Sequence, residues 1–186
     1  ARIYILGMRD VLVCLNAATG KELWRIDFVK KYRSALPSFG AVCSPILDGD
    51  HLYLQAGSSV LKIEKPTGIV VWRSGGSGQK RSLFGNGMTS SAFSSPMIET
   101  IDGKRQLIVQ GRNALGGLDL KAGKPLWSVK IPAFRGMNIL TPLVHAGGIF
   151  TSAYGGRAHY YTLSEEDGEL SVSEKWNARA QGYMTS

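Results

Sequence analysis

The stretch Ala18-Thr19-Gly20-Lys21-Glu22-Leu23-Trp24 recurs along the chain. Pro66-Thr67-Gly68-Ile69-Val70-Val71-Trp72 and Lys121-Ala122-Gly123-Lys124-Pro125-Leu126-Trp127 repeat its form of a glycine turn followed by a tryptophan. A looser version runs from Glu166-Asp167-Gly168 to Trp176. The tryptophans are separated by 48, 55 and 49 residues. Self-similarity at such a period marks an architecture of stacked units, none of which buries its apolar face alone. A second marker keeps the same phase: Cys43-Ser44-Pro45, Ser94-Ser95-Pro96 and Leu140-Thr141-Pro142 each open an apolar run, 51 and 46 residues apart.

Inside a repeat, short apolar runs alternate with turn residues, which is the pattern of strands. The second repeat shows it best, with runs at Ala41 to Leu47, Leu52 to Gln55, Val60 to Glu64 and Val70 to Trp72. Turns at Asp48-Gly49-Asp50, Gly57-Ser58 and Pro66-Thr67-Gly68 separate them, and glycine supplies the positive φ that tight turns need. A four-stranded meander of this size has raw edges and two faces to cover, and stacking such sheets around an axis answers both needs. The expected fold is therefore all-β: a β-propeller of four-stranded antiparallel blades. Blades are expected over 1–28 (part of one), 41–73, 91–130 and 139–176, with the start of another at 181–186. Thr19, Gly20, Trp24, Thr67, Gly68, Trp72, Gly123, Trp127, Gly168 and Trp176 are read as blade-docking residues, each tryptophan filling the gap between sheets and a glycine turn holding it there.

Length and composition narrow the classes. The chain has 186 residues, 44% of them apolar, which excludes intrinsic disorder. No apolar run approaches the roughly 18 residues of a spanning helix. Ala1 leads straight into the strand-like Arg2-Ile3-Tyr4-Ile5-Leu6, and Met184-Thr185-Ser186 stops one residue short of the next marker proline, so the expectation is a fragment with about 3.5 to 4 blades of a seven- or eight-bladed parent. Such a fragment calls for missing blades or a second chain to close its ring. Cys14 and Cys43 are read as buried, unpaired thiols, and His51, His145 and His159 show no ligand spacing, so no metal site is assigned.

The pattern alanine-x-aspartate-x-x-threonine-glycine-x-x-x-tryptophan marks the blades of quinoprotein dehydrogenases and of the wider pyrroloquinoline-quinone-like propeller family. The chain resembles that family over its whole length, through Cys14, Asn16, Thr19, Gly20 and Trp24; then Lys62, Glu64, Thr67, Gly68 and Trp72; then Gly117, Asp119, Ala122, Gly123 and Trp127. It departs at the first position each time, and the aspartate survives only as Asp119. It is similar in particular to uncharacterised secreted members that carry a segment like Asn138-Ile139-Leu140-Thr141-Pro142. The resemblance implies an extracytoplasmic setting, periplasmic or secreted. It also implies two functional classes, because the family holds pyrroloquinoline-quinone (PQQ) dehydrogenases with calcium and adjacent cysteines, and scaffolds such as an outer-membrane assembly lipoprotein. Adjacent cysteines are absent here, so no catalytic residue is assigned and no cofactor is expected; a dehydrogenase fragment with PQQ and calcium is the alternative.

The net charge is +8. In a propeller, connections from an outer strand to the next inner strand share an end with the second-to-third turns. The first set contains Lys30, Lys31, Arg33, Lys80, Arg81, Arg135 and Arg179 and no acid; the second adds Arg9, Arg112 and Arg157 against Asp10. The opposite turns hold Asp48, Asp50, Glu99, Asp102, Glu165, Glu166, Asp167 and Glu169. Charge is therefore expected to be polarised along the axis, either as a solvated rim or as an anion-attracting face. Tyr32, Phe39, Phe84, Phe134 and Tyr183 interleave with the bases, which favours contact with a partner. Lys30, Lys31, Tyr32, Arg33, Lys80, Arg81, Arg112, Arg135, Asn138, Arg157 and Arg179 are the candidate binding residues. The partner expected is an acidic protein, a glycan or a membrane surface; no nucleic-acid-binding motif is present, and nucleic acid is not expected.

Overall fold

The computed structural model describes residues 1–37, 39–75 and 92–179. Four antiparallel sheets follow one another, each with its strands in chain order. The first has three strands, β1 (Arg2–Gly7), β2 (Val11–Asn16) and β3 (Glu22–Asp27). The second comprises β4 (Ile46–Asp48), β5 (His51–Ala56), β6 (Ser59–Glu64) and β7 (Val70–Ser74). The third comprises β8 (Met97–Ile101), β9 (Lys104–Gln110), β10 (Ala114–Leu118) and β11 (Pro125–Lys130). The fourth comprises β12 (Leu143–His145), β13 (Gly148–Ser152), β14 (Ala158–Glu166) and β15 (Glu169–Ala178). The repeat phase read from the tryptophans is thus the phase of the blades.

Each of the four sheets carries the same register shift beside its tryptophan, at Cys14/Leu15, Lys62/Ile63, Gly117/Leu118 and Tyr160/Tyr161. A bulge at that point re-aims the outer strand and increases its twist. Each junction between blades has its own apolar cluster. Leu12, Ile26 and Phe28 meet Leu52, Leu54, Leu61 and Ile63 at the first; Tyr53 and Val60 meet Leu107, Val109 and Leu118 at the second; Ile108, Leu115 and Trp127 meet Ile149, Tyr161 and Leu163 at the third.

The docking residues behave as a relay. Trp24 lies on Gly68 of the following blade, where a Cβ would stand 2.9 Å from its Cδ2, and its Nε1 donates to the Lys65 carbonyl at 3.2 Å. Trp72 does the same one blade on: a Cβ at Gly123 would stand 2.6 Å from its Cδ2, and Nε1 donates to the Leu120 carbonyl at 3.2 Å. The glycine turn therefore seats the preceding blade's tryptophan, not its own. The turn is shaped by the motif's acid position, since Asn16 Oδ1 accepts from the Ala18 and Thr19 amides and Asp119 Oδ1 from the Ala122 amide.

The third junction departs from the expected docking. The β14–β15 hairpin pairs out to Glu166 and Glu169, four residues per strand beyond Thr162 and Ser173, so Gly168 lies at its tip with nothing near it. Trp127 turns into its own blade, where Gly117 leaves room and Gln106 Oε1 accepts from Nε1 at 2.6 Å. Trp176 stacks on Tyr160 and remains 46% exposed. Gly168 and Trp176 are accordingly not docking residues between described blades.

Two other expectations shift. The run at Ala41 to Leu47 is not a strand before Ile46, because Pro45 has no amide to give a ladder; the Ser44 amide instead bonds Ser95 Oγ at 2.9 Å and the Ser95 amide bonds Thr141 Oγ1 at 3.3 Å, blade to blade. A short helix, α1 (Phe28–Tyr32), follows β3, capped by Asp27, whose Oδ1 accepts from the Lys30 amide at 3.0 Å.

The relay gives a graded prediction. Gly20 has φ +69° but nothing within 4 Å, so Gly20→Ala costs only the left-handed backbone, about 1 kcal/mol. Gly123→Ala adds a collision with a rigid indole and costs about 2–4 kcal/mol in total. Urea unfolding of the two variants measures the difference, and equal costs would refute the docking role.

Candidate functional site

Antiparallel pairing brings the β3–β4, β7–β8 and β11–β12 connections to one end of the blades, together with the β1–β2, β5–β6, β9–β10 and β13–β14 turns. Contacts within this end, called upper here, bind neighbouring blades. The Gly57 amide donates to Asp10 Oδ2 at 2.7 Å, which turns the one acid of these connections into the interior. Tyr32 covers Gly57, where a Cβ would come within 3.0 Å of its ring, and Phe134 lies over Gly155 through its Cβ at 3.0 Å, its ring Cγ 3.9 Å away. The α1 helix delivers the first aromatic and a short 3-10 turn (Phe134–Gly136) delivers the second.

These rings also hold cations. The Arg73 guanidinium lies 4.2 Å from the Tyr32 centroid and Lys31 Nζ 5.8 Å from it; Arg112 stands 4.5 Å over Phe93, and Arg135 5.2 Å from Phe134. Arg112 Nη2 donates to the Arg135 carbonyl at 3.1 Å, and burial pushes its guanidinium below the ordinary value. Arg9, Lys31, Arg33, Arg135, Arg157 and Arg179 are exposed, and Arg157 Nε donates to Asn177 Oδ1 at 2.8 Å. None of these six, nor Arg112, makes an ion pair with a carboxylate of another described residue.

The lower end differs in kind. Arg105 pairs with Asp48 at 2.7 Å and Lys104 with Glu165 at 3.9 Å. Lys21, Lys65, Lys121 and Lys124 sit in these turns as well, so that end is mixed and not simply acidic. The ends therefore differ in composition: bases with one buried acid, Asp10, above, and acids mixed with bases below. Among the sequence candidates, Lys30 is partnered by Asp27 at 3.3 Å, and Asn138 is buried, its Nδ2 donating to the Arg112 and Ile131 carbonyls. Asn138 is structural. Lys80 and Arg81 lie outside the described residues, as do Phe84 and Tyr183. Arg73 was missed by sequence reasoning because it belongs to a strand and only its reach to Tyr32 brings it to this end.

No group of three His, Cys, Asp or Glu side chains among the described residues could hold a metal. Cys14 and Cys43 are free, buried and on different blades, and burial pushes the Cys43 thiol up to about 12 while its Sγ contacts the Gln55 carbonyl at 3.0 Å. Both thiols are therefore expected to resist iodoacetamide at pH 8 in the folded chain and to react once urea unfolds it; rapid native labelling would contradict this burial.

A family described as outer membrane protein assembly factor BamB matches residues 1–186. The chain belongs to that family. This places it among the PQQ-like repeat proteins, as its blade motif implies. Similar solved structures include quinohemoprotein alcohol dehydrogenase from Comamonas testosteroni, 13% identical over 97% of this chain and 34% of that one, with a TM-score of 0.54. The WD40 repeats of RRP9 align at 11% identity over 92% of this chain and 47% of that one, TM-score 0.51. The computationally designed Ika8 protein aligns at 10% identity over 93% and 55%, TM-score 0.53. At these identities the likeness concerns the propeller fold, and this BamB-family chain spans about a third to a half of the length of those structures. No curated protein matches the sequence.

Four carboxyls are held below their ordinary values: Glu22 by the Arg25 guanidinium, Asp27 by the Lys30 amide, Asp48 by the Arg105 guanidinium and Glu174 by His159, whose Nδ1 lies 2.6 Å from it. A lowered folded pKa gives stability that is present above the unfolded value and lost as pH falls through the folded one. The urea midpoint is expected to fall as pH goes from about 5 to about 3. The double variant Asp48→Asn, Glu174→Gln should flatten that fall, and an unchanged slope would contradict the assignment.

Proposed function

We propose that the chain is a non-catalytic propeller module whose upper end binds an anionic partner. The observation that carries the reading is the charge of the upper connections: Arg9, Lys31, Arg33, Arg112, Arg135 and Arg157 gather there without an ion pair to a described carboxylate, Arg112 and Arg135 lie over Phe93 and Phe134, and the one acid, Asp10, is buried. Stacking on a ring occupies a guanidinium's face and not the donors at its edge, which suit a carboxylate or phosphate. The BamB family supports a scaffold acting through protein partners, and an extracytoplasmic setting for it; no helix among the described residues is long and apolar enough to cross a membrane. An acidic protein, a glycan or a membrane surface all meet the charge requirement.

The test uses a fluorescent peptide of ten glutamates and reads anisotropy against salt. The variant Lys31→Ala, Arg112→Ala, Arg157→Ala is expected to weaken binding at least tenfold, and Lys121→Ala, Lys124→Ala from the lower end less than twofold. Equal losses, or binding that ignores salt, would sink the proposal.

A further inference from the structure

Two arginines of the upper end have a backbone that arginine does not favour. Arg33 has φ +51° as the residue closing α1, and Arg135 has φ +54° inside the 3-10 turn. Positive φ is uncommon outside glycine, and Asn, Asp and His are the residues enriched there. The other five non-glycine cases sit in tight turns between adjacent strands: Asp10, Ser58, Asp102, Ala146 and Asp167. Paired hairpins impose positive φ at their central residues. Arg33 and Arg135 are in no hairpin. A helix closes most easily on glycine at the position of Arg33, and nothing in the fold requires a long cationic side chain there.

The two positions are copies of one device. Each arginine directly follows the aromatic that covers a glycine in the next blade's turn, Tyr32 over Gly57 and Phe134 over Gly155. Each is exposed and has no carboxylate partner among the described residues. The aromatic fixes the loop against the neighbouring blade, and the arginine that follows stays exposed, Arg135 with its guanidinium 5.2 Å from the Phe134 centroid. Strain retained where glycine would serve points to selection for the side chain itself.

We propose that Arg33 and Arg135 are the paired specificity residues for an extended acidic peptide segment crossing the upper end, each guanidinium taking one carboxylate bidentately. The assignment rests on the anion-binding reading above and deepens it. A peptide is favoured over a lipid surface because Arg33 and Arg135 sit on crossings two blades apart, which suits carboxylates spaced along a chain, and because Phe134 and Tyr154, in edge contact at 6.0 Å, stand beside Arg135 to receive an apolar side chain.

The experiment is a double substitution to glycine and one to alanine, read for stability and binding together. Arg33→Gly, Arg135→Gly should raise the unfolding temperature by about 2–4 °C per position while weakening the ten-glutamate peptide at least tenfold at about 0.15 M salt. Arg33→Ala, Arg135→Ala should lose the same affinity without the rise, because the strain stays. A fall in unfolding temperature with glycine would overturn the inference by making the arginines structural. Unchanged affinity in both variants, with the Lys31, Arg112, Arg157 variant still impaired, overturns this assignment and leaves the anion-binding end standing. Absence of binding by the unmodified chain overturns both. Binding to phosphatidylserine vesicles but not to the peptide overturns the peptide assignment alone.

Discussion

An indole ring lying against a bare glycine of the next sheet fixes how closely the first three blades approach. Trp24 on Gly68 and Trp72 on Gly123 each combine three requirements at one spot: no Cβ on the receiving turn, a positive φ to form it, and a carbonyl aimed at the indole N–H. The carbonyls come from Lys65 and Leu120, three residues before the glycines, so the same turn that removes the side chain also supplies the acceptor. Trp24 and Trp72 are half-buried there, and each junction adds a fully buried apolar cluster beside them, so a blade gains its stability from its neighbours. The apolar clusters on either side of the sheets follow from this spacing.

Nearer the axis a second, polar interlock keeps the sheets in register. Gln55 Nε2 reaches the Ser94 carbonyl at 2.9 Å and Gln110 Nε2 the Leu140 carbonyl at 3.2 Å, at equivalent places in consecutive blades. These carbonyls precede the Ser-Pro and Thr-Pro pairs whose amides and hydroxyls link blade to blade. Proline ends the ladder there, and the freed backbone groups are satisfied by the neighbouring blade. Docking outside and polar bonding inside together make the loops of the upper end a rigid frame.

Much of this was legible in the sequence because it is written in residues with few alternative roles. A glycine four residues before a tryptophan, three times over, gave the blades, and a gap of eight in the fourth foreshadowed the long β14–β15 hairpin that leaves Gly168 at a tip. The identity of the tryptophan's seat was not legible, since Trp24 and Gly68 are 44 residues apart and nothing local couples them. Charge was read by loop membership alone, which found the bases but could not tell Lys30, held by Asp27, from Arg33, held by nothing. Pairing of Arg105 with Asp48 spans 57 residues and depends on blade packing. Arg33 and Arg135 escaped notice for the converse reason: arginine carries no signal of positive φ.

The same frame explains why the two ends differ. At the lower end the blades close by hairpins, where acids and bases are mixed and Arg105 and Lys104 pair with Asp48 and Glu165 of adjoining blades. At the upper end the chain must pass from one blade's rim to the next blade's centre, and those crossings lie over the neighbour's turns. A crossing needs an anchor, and Tyr32 and Phe134 provide it by covering Gly57 and Gly155. Once anchored, the chain leaves the anchor from a fixed point. The next residue is arginine in both described cases, at a positive φ, and in one of them the guanidinium lies back over the anchoring ring itself, Arg135 on Phe134, so the crossing that ties two blades together also sets where a base starts.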